Sequence, residues 1–549
     1  MAKQSTETKP KQKVVLPELS NTNQSKHLMI KGVILAYAFV LFSKSLNFPF
    51  ITFDDPDYVV NNLLIRNFSL QGIWDILTTP VIGMYNPITF LVYMIEYQIA
   101  GLSPKTFHFF NIVFHLIATA FVYNFTYKLS KSYITAALVA LLFAIHPTHV
   151  SVVTWVSQTK TSLFLIFYFS ALISYLRYLE KPERKYLIYA GMYFLISVLS
   201  KPSAVTLAPM LILIDYYTGR KIDKRSLMEK IPFFIISLIF GIVNLYSHME
   251  AEDAIFDVND NYSLINNLLI SNYSIVFYFK KLIFPFNFST IYPYPDNTPI
   301  LPLKYYLSIP VIPFLIWAVY KSGQFKKEMI FGLLFFVIAV SVLVKILPSG
   351  FFRAANRYTY LSYTGLFYIM GQFCTYVYDG KFKFSEKLKP YMFALLAFYL
   401  LFCTYKTSVR IDVWKDSVSL FTDVINKKPK LAMAYNLRAL AKLETGDRQG
   451  AREDYMMAIK INPKYFEGYI NLGIIDYSEG KFEEAMLNYD KGIRLNSTLG
   501  MGFHNRAILK MKTGDTLGAY NDWKKAIELN VPQAKRPFED LSEIWDGGR

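Results

Sequence analysis

A series of long apolar stretches limits what this chain can fold into. An α-helix needs about twenty apolar residues to cross a hydrocarbon core of about 30 Å. Eleven such runs begin near residues 32, 108, 133, 162, 186, 203, 231, 303, 329, 359 and 390. Residues 271–286 form a further amphipathic or re-entrant stretch. The pattern predicts an all-α, polytopic membrane protein with about 11–13 spans, because helices satisfy their own backbone hydrogen bonds within a bilayer.

Composition supports a membrane protein. Hydrophobic residues make up 53% and aromatic residues 17% of the chain, more than a soluble globular protein carries, which excludes a purely cytosolic enzyme. The net charge is +17, but the basic residues cluster between apolar runs rather than along one face. That placement indicates orientation in a lipid bilayer and no nucleic-acid partner. Cys374 and Cys403 lie in apolar stretches, so no disulfide framework or cysteine metal site is expected.

The basic loops predict the orientation in the membrane. The N-terminal arm, residues 1–28, is basic and has no small-residue cleavage site, so we expect an uncleaved anchor with a cytoplasmic N-terminus. The loops that then fall inside are also basic, at residues 128–131, 181–185, 219–230, 321–327 and 381–389. An odd number of spans places the C-terminal part outside. We expect a bacterial inner membrane rather than the endoplasmic reticulum.

The C-terminal part repeats with a period of 34 residues. Three residue types recur at that spacing. They are glycine at Gly446, Gly480 and Gly514, alanine at Ala451, Ala485 and Ala519, and asparagine at Asn462, Asn496 and Asn530. This is the pattern of tetratricopeptide (TPR) repeats, which stack into an α-solenoid whose concave surface usually binds a peptide. The alternative is a spacer or a dimerisation arm.

The pattern divides the chain into five parts. We predict a basic arm at 1–28, a transmembrane domain at 29–406, a capping or linker helix at 407–428, three TPR repeats at 429–532 and a C-terminal helix or tail at 533–549.

The first outside loop, residues 51–106, carries the clearest candidate for chemistry. It opens with Asp54 and Asp55 directly beyond the first span. Adjacent carboxylates can hold one pKa high enough for a general base, or can bind a hard divalent cation. A cation such as Mg or Mn is therefore left open, with Asp54 and Asp55 as its ligands. The alternative is a turn or helix cap built on Asp-Pro-Asp.

Several motifs resemble those of GT-C membrane glycosyltransferases, and most closely the group with TPR repeats. That group includes the transmembrane and TPR-repeat protein O-mannosyltransferases and their bacterial relatives. The motifs are FDDPDYV at 53–59, YNPIT at 85–89, HFFNIVFH at 108–115, HPTHV at 146–150, WVS at 155–157, LSKPSAVTL at 199–207, YPYP at 292–295 and RYTYL at 357–361. The resemblance extends from Met29 to Asn530.

The resemblance implies a sugar donor carried on a polyprenyl phosphate or diphosphate, a site facing outside, and a first-loop Asp that acts on the acceptor. Asp54 or Asp55 is then the catalytic base. Cations are needed to stabilise the departing lipid phosphate. The candidates for contact with the donor phosphate are Arg357, Lys201, Lys160, Arg353, His146 and His149. Anchoring at the membrane interface is the alternative for Arg357, Lys201 and Lys160. For the histidines the alternatives are binding a metal together with neighbouring carboxylates, or hydrogen bonding at a helix end.

The repeats carry candidate acceptor contacts. Asn471 and Asn505 occupy one repeat position on first helices, and Asn436 lies one residue out of phase. A ladder of amides can bind the backbone of an extended polypeptide, or it can bond between repeats.

We therefore predict an enzyme that transfers a sugar or oligosaccharide to Ser or Thr of exported proteins bound by the TPR domain. Two alternatives stay open. The acceptor could be a lipid or a cell-wall glycan, or the chain could be a non-catalytic TPR scaffold at the membrane.

Overall fold

A computed structural model of the protein describes residues 21–255, 262–295, 300–344, 352–382 and 386–546. The predicted N-terminal arm lies outside these residues as far as residue 20, as do residues 547–549 of the predicted tail and residues 383–385 of one predicted inner loop. The described chain is almost entirely helical, which confirms the predicted fold class: an all-α polytopic membrane protein with a C-terminal TPR solenoid.

Seventeen α-helices make up the part of the described chain before the solenoid. In order they are α1 Asn21–Phe42, α2 Leu70–Thr78, α3 Pro87–Ala100, α4 Pro104–Ser130, α5 Tyr133–Ile145, α6 Val150–Thr154, α7 Thr159–Glu180, α8 Arg184–Ser200, α9 Leu207–Thr218, α10 Lys224–Met228, α11 Ile231–Ile255, α12 Leu264–Ile283, α13 Leu303–Tyr306, α14 Val311–Lys321, α15 Lys326–Ser341, α16 Thr359–Tyr378 and α17 Lys389–Val413.

Six described helical segments are long and apolar enough to cross a membrane, and a bent pair formed by α5 and α6 would make a seventh. These seven coincide with the predicted spans that begin near residues 32, 108, 133, 162, 231, 303 and 390. The other four predicted spans correspond to α8, α9, α15 and α16, which are helical but are not among the six. The count of eleven spans therefore stays a prediction. The assignment of residues 271–286, most of which lie on α12, as an amphipathic or re-entrant stretch also stays a prediction.

Helices of the membrane part pack tightly around an aromatic core. Helix α4 packs against α5 and α7, and α15 packs against α16. The last pair approaches closely through two glycines. A Cβ atom placed on Gly365 would lie 2.4 Å from the carbonyl oxygen of Gly332, so a larger residue there would push the helices apart.

A short two-stranded sheet sets the turn before α16. Strand β1, Tyr292–Pro293, pairs antiparallel with strand β2, Phe352–Ala354. The Tyr292 hydroxyl donates to Asn356 Oδ1 at 3.1 Å, and Asn356 Nδ2 donates to the Ser289 carbonyl oxygen at 3.0 Å. These bonds fix the 3₁₀ turn Asn356–Tyr358, which carries Arg357.

The solenoid consists of a capping helix, α18 Ser417–Lys427, three helix pairs and a final helix. The pairs are α19 Ala432–Glu444 with α20 Arg448–Ile461, α21 Phe466–Ser478 with α22 Phe482–Leu495, and α23 Gly500–Thr513 with α24 Thr516–Glu528, followed by α25 Lys535–Asp546. Gly446, Gly480 and Gly514 follow the first helix of each pair with positive φ angles of 84°, 77° and 88°. A left-handed residue at this position suits glycine, which explains its spacing.

The solenoid is docked onto the membrane part at its capping helix. Arg410, at the end of α17, forms an ion pair with Asp423 of α18 at 2.6 Å and donates to Thr290 Oγ1 at 3.0 Å. The rings of Trp155 and Trp414 lie 5.4 Å apart in a shared apolar cluster. The first repeat is therefore held beside the segment that opens the first outside loop.

Candidate active site

The two adjacent acids of the first loop have different surroundings. Asp55 is fully buried, and its carboxylate accepts hydrogen bonds from the backbone N–H groups of Ile51 and Ser157, both at 2.9 Å. The Ser157 hydroxyl donates to the same carboxylate. Burial raises the pKa of Asp55 to about 6, although these hydrogen bonds favour the charged form. Asp55 therefore ties the first loop to the turn before α7.

Asp54 has a free carboxylate. It is half-buried, and within the described residues no hydrogen bond or ion pair engages its side chain. Burial raises the pKa of Asp54, and the positive charges of Lys160 and Arg357 act in the opposite direction. Of the two acids proposed from the sequence, Asp54 is thus the one whose oxygens are available to a substrate.

Three cations lie at this end of the site: Lys160 and Arg357 act on the Asp54 carboxylate, and Lys201 lies near those two cations. Lys160 is buried, and its Nζ donates to the Tyr58 hydroxyl at 2.7 Å. Lys201 is also buried, and its Nζ donates to Thr161 Oγ1 at 2.8 Å. These hydroxyl partners are neutral, so the charge of each lysine is not cancelled by an ion pair within the described residues.

Arg357 is the third cation. Its guanidinium lies 5.4 Å from the Trp155 ring and 5.5 Å from the Tyr358 ring. Stacking on an aromatic face leaves the N–H edges of a guanidinium free for an anion.

A narrow cleft brings two of the cations together with apolar side chains. It is lined by Phe164, Lys201, Ser203, Ala339, Leu343, Arg357, Tyr358 and Leu361. A wall with two cations and mostly apolar neighbours suits an anionic group carried on a hydrocarbon chain, since both parts of such a ligand find a matching surface.

The structure does not bring the other predicted phosphate contacts into this cluster. Arg353 packs its guanidinium on Tyr273 and Phe277, at 4.9 and 5.1 Å from the rings. It lies on β2 and faces α12, although it is only four residues from Arg357.

The two predicted histidines are completely buried. His149 Nδ1 donates to the Phe143 carbonyl oxygen at 2.8 Å, and His146 Nδ1 lies 2.7 Å from Thr148 Oγ1. Both rings pack against Tyr363. These contacts correspond to the structural alternative, hydrogen bonding at a helix end.

Groups of potential metal ligands are scarce in the described part of the chain. There, no group of three or more His, Cys, Asp or Glu side chains could hold a metal ion. Because the Asp55 carboxylate is already engaged, a divalent cation at the Asp pair would have Asp54 as its one free protein carboxylate. A cation at this site stays a prediction.

Several residues of the site were not predicted. Ser157 donates two of the three hydrogen bonds that engage Asp55, and Tyr58 orients Lys160. Both fall inside the motifs FDDPDYV and WVS, but neither carries a charge that would mark it as a site residue. Thr52, which contacts the solenoid, was not predicted either.

The predicted amides of the repeats are partly bonded to one another. Asn471 Nδ2 donates to Asn436 Oδ1 at 2.9 Å, which joins the first helices of two adjacent repeats. Asn505 lies on the first helix of the third pair and is half-buried. This bond does not use the side-chain NH₂ group of Asn436 or the side-chain oxygen of Asn471, which stay available to an acceptor polypeptide.

Comparisons with known proteins agree with both parts of the chain. Residues 86–246 match the family described as dolichyl-phosphate-mannose-protein mannosyltransferase, and residues 432–465 match a tetratricopeptide repeat. The human protein O-mannosyl-transferase TMTC3 is 23% identical over 93% of this chain, and protein O-mannosyl-transferase F38B6.6 of Caenorhabditis elegans is 24% identical over 75%. The chain spans 65% and 60% of the lengths of these relatives. The predicted resemblance is confirmed.

Two solved structures are also similar to the chain. One is the oligosaccharyltransferase AglB from Archaeoglobus fulgidus, in complex with an inhibitory peptide and a dolichol-phosphate. Its TM-score is 0.39 at 13% identity, covering 72% of this chain and 56% of that one. The other is ArnT from Cupriavidus metallidurans bound to undecaprenyl phosphate, with a TM-score of 0.37 at 12% identity, covering 78% of this chain and 75% of that one.

Proposed function

We propose that the protein is a membrane glycosyltransferase. It moves a sugar from a polyprenyl-phosphate-type donor to a Ser or Thr hydroxyl of a polypeptide held by the TPR repeats. The observation that carries the proposal is the free, half-buried carboxylate of Asp54, set in the field of Lys160 and Arg357.

Asp54 is the general base. It takes the proton of the acceptor hydroxyl while the hydroxyl oxygen attacks the anomeric carbon of the sugar. The bond between that carbon and the donor phosphate breaks, and the lipid phosphate leaves with its charge. Burial raises the pKa of Asp54, and this direction favours proton transfer because it brings the base closer to neutral pH.

Arg357, Lys201 and Lys160 stabilise the departing phosphate. Negative charge grows on the phosphate in the transition state, so cations fixed in advance lower the barrier. Arg357 and Lys201 line the same narrow cleft, together with apolar side chains such as Phe164 and Leu361. Lys160 lies near Asp54 and Arg357, and its hydrogen bond to the Tyr58 hydroxyl holds its Nζ there.

A polypeptide acceptor is favoured by the place of the repeats. The first repeat meets the first outside loop directly, since Thr52 Oγ1 donates to Glu444 Oε2 at 2.6 Å. A peptide on the solenoid would therefore lie close to Asp54, whereas a lipid or glycan acceptor needs no such domain. The names of the related proteins make mannose the first sugar to test.

The chain is a multi-pass membrane protein. Within the proposal, its N-terminus is cytoplasmic, and the site and the solenoid face outside a bacterial inner membrane. The basic composition of the loops predicted to lie inside supports this orientation.

Transfer can be tested with the full chain in proteoliposomes. We expect labelled mannose to move from polyprenyl phosphate to a Ser- and Thr-containing peptide and to be released by alkaline β-elimination. The control is the same peptide with Ala at every Ser and Thr. A panel of donors with other sugars extends the test. Label appearing only in lipid or glycan would overturn the choice of acceptor, and peptide binding without transfer from any donor would indicate a scaffold.

The amide ladder gives a prediction for acceptor binding. Replacing Asn471 or Asn505 with Ala should raise the peptide Kd about two- to tenfold, since a neutral hydrogen bond contributes about 0.5–1.5 kcal/mol. Donor binding should not change. The control is Asn488→Ala, on the second helix of its repeat, where the amide donates to Asp476 at 2.7 Å. Calorimetric titration measures both ligands. Lower thermal stability with an unchanged peptide Kd would show that the ladder only joins repeats.

A further inference from the structure

The backbone just before Asp54 is held by the solenoid. Thr52 N–H donates to Ser417 Oγ at 2.8 Å, and the Thr52 hydroxyl donates to Glu444 Oε2 at 2.6 Å. Ser417 begins the capping helix α18, and Glu444 ends α19, the first helix of the first repeat. Two helices of the solenoid thus meet one residue of the first outside loop.

Phe53, the next residue, is also packed against the solenoid. Its ring stacks on Trp155 at 5.4 Å with an angle of 12° between planes, and it meets the edge of Phe421 of α18 at 6.1 Å. Trp155 in turn contacts Trp414 and carries the Arg357 guanidinium on its ring. These aromatic rings therefore connect the solenoid, the first outside loop and the Arg357 guanidinium of the proposed site.

The backbone just after Asp54 is held by the membrane part. Asp55 accepts hydrogen bonds from Ser157, at the turn before α7. Asp54 therefore lies between two anchors, and each part of the chain supplies one. Because no side-chain partner orients the Asp54 carboxylate within the described residues, its direction depends on the backbone between these anchors.

We propose that the solenoid completes the catalytic centre, with Glu444 and Ser417 as positioning residues that act on Asp54 through Thr52. This inference rests on the proposed function. It gives the repeats a second role besides holding the acceptor. Small displacements of a reacting group matter, because a misplacement of about 1 Å can lower a rate by about 10²-fold.

The kinetic test uses variants that remove the contact and one that keeps it. Thr52→Val and Glu444→Ala each remove this hydrogen bond and should lower kcat on the order of tenfold, a part of the loss that full misplacement would cause, with the KM for donor and for peptide unchanged. Thr52→Ser keeps the hydroxyl and should retain kcat. The double variant Thr52→Val with Glu444→Ala should match the single variants, because both act through one contact.

A matched control separates positioning from general damage to the solenoid. Glu479, in the second repeat, forms an ion pair with Arg452 at 2.8 Å and does not reach the loop. Glu479→Ala should leave kcat unchanged. A kcat equal to that of the wild type in both contact variants, or a change confined to KM, would overturn the proposal.

A second measurement does not depend on transfer. Hydrogen exchange of the amides around residues 52–58 should quicken in the full-length Glu444→Ala protein but not in Glu479→Ala, because only the first loses the anchor. If exchange responds while the wild type transfers no sugar, the contact is confirmed and the proposed function fails. If the wild type transfers sugar while exchange and kcat stay unchanged, the proposed function holds and the positioning role fails.

Discussion

Replacing Asp54 with Asn is expected to lower turnover by about 10²-fold or more while the protein stays folded. Asn has nearly the same shape as Asp but cannot take a proton, and general-base catalysis contributes about 10²–10⁴-fold. The half-buried Asp54 side chain makes no described hydrogen bond that the change would break. The measurement is kcat at saturating donor and peptide, with thermal unfolding to confirm that the variant is folded.

Two neighbouring acids serve as controls for this result. Asp57 is exposed, so Asp57→Asn should keep most of the activity. Asp55→Asn should unfold at lower temperature, because an amide N–H₂ group would face the N–H groups that now donate to the carboxylate, and buried polar groups left unpaired cost about 1–3 kcal/mol. Unchanged turnover in Asp54→Asn would contradict the assignment of the base.

The pH dependence gives a further check on Asp54. The base must be ionised, so kcat/KM should fall as the pH is lowered through its pKa. Burial raises that pKa above the ordinary value for Asp, so the acid limb should lie at higher pH than for an exposed carboxylate. The limb assigned to Asp54 should be absent from the residual activity of Asp54→Asn.

The sequence could predict the fold class and the repeats because each rests on local periodicity. Apolar runs of about twenty residues predict helices across a membrane whatever their neighbours. The 34-residue spacing of Gly446, Gly480 and Gly514 indicates TPR repeats, because a left-handed turn recurs in each unit. The number of spans was harder to predict, because helices such as α8 and α9 are shorter than a full crossing.

The assignment of roles within the site could not be predicted. Asp54 and Asp55 are adjacent and chemically identical, and they differ because Ser157, far along the chain, and the backbone N–H of Ile51 bond to Asp55 alone. Arg353 and Arg357 are four residues apart, yet the short sheet and the turn after it direct them to different neighbours.

The docking of the solenoid against the first loop could not be predicted from the sequence either. The contact of Thr52 with Glu444 joins residues at opposite ends of the chain. Such contacts follow from how whole helices pack, and one sequence does not reveal them.

Arg357→Gln is expected to lower kcat by about 10²–10³-fold, since one preorganised donor to developing charge contributes about that much. The loss should appear mainly in kcat, because the charge on the leaving phosphate grows in the transition state. Arg357→Lys should recover part of the rate, since an ammonium keeps the charge but not the two parallel N–H groups of a guanidinium. Single-turnover kinetics with labelled donor measure the chemical step directly.

Removing Arg357 should also change the acid limb of the pH profile. Its positive charge lowers the pKa of Asp54, so in Arg357→Gln that pKa rises and the limb moves to higher pH. Arg353→Gln is the matched control, four residues away, because its guanidinium packs on Tyr273 and Phe277. That variant should leave the position of the acid limb unchanged and should lower kcat much less than Arg357→Gln does. Two results would contradict this assignment: a loss of kcat in Arg353→Gln as large as in Arg357→Gln, or an acid limb that does not move in Arg357→Gln. Either result would mean that Arg357 does not act beside Asp54 and that the phosphate lies against other cations.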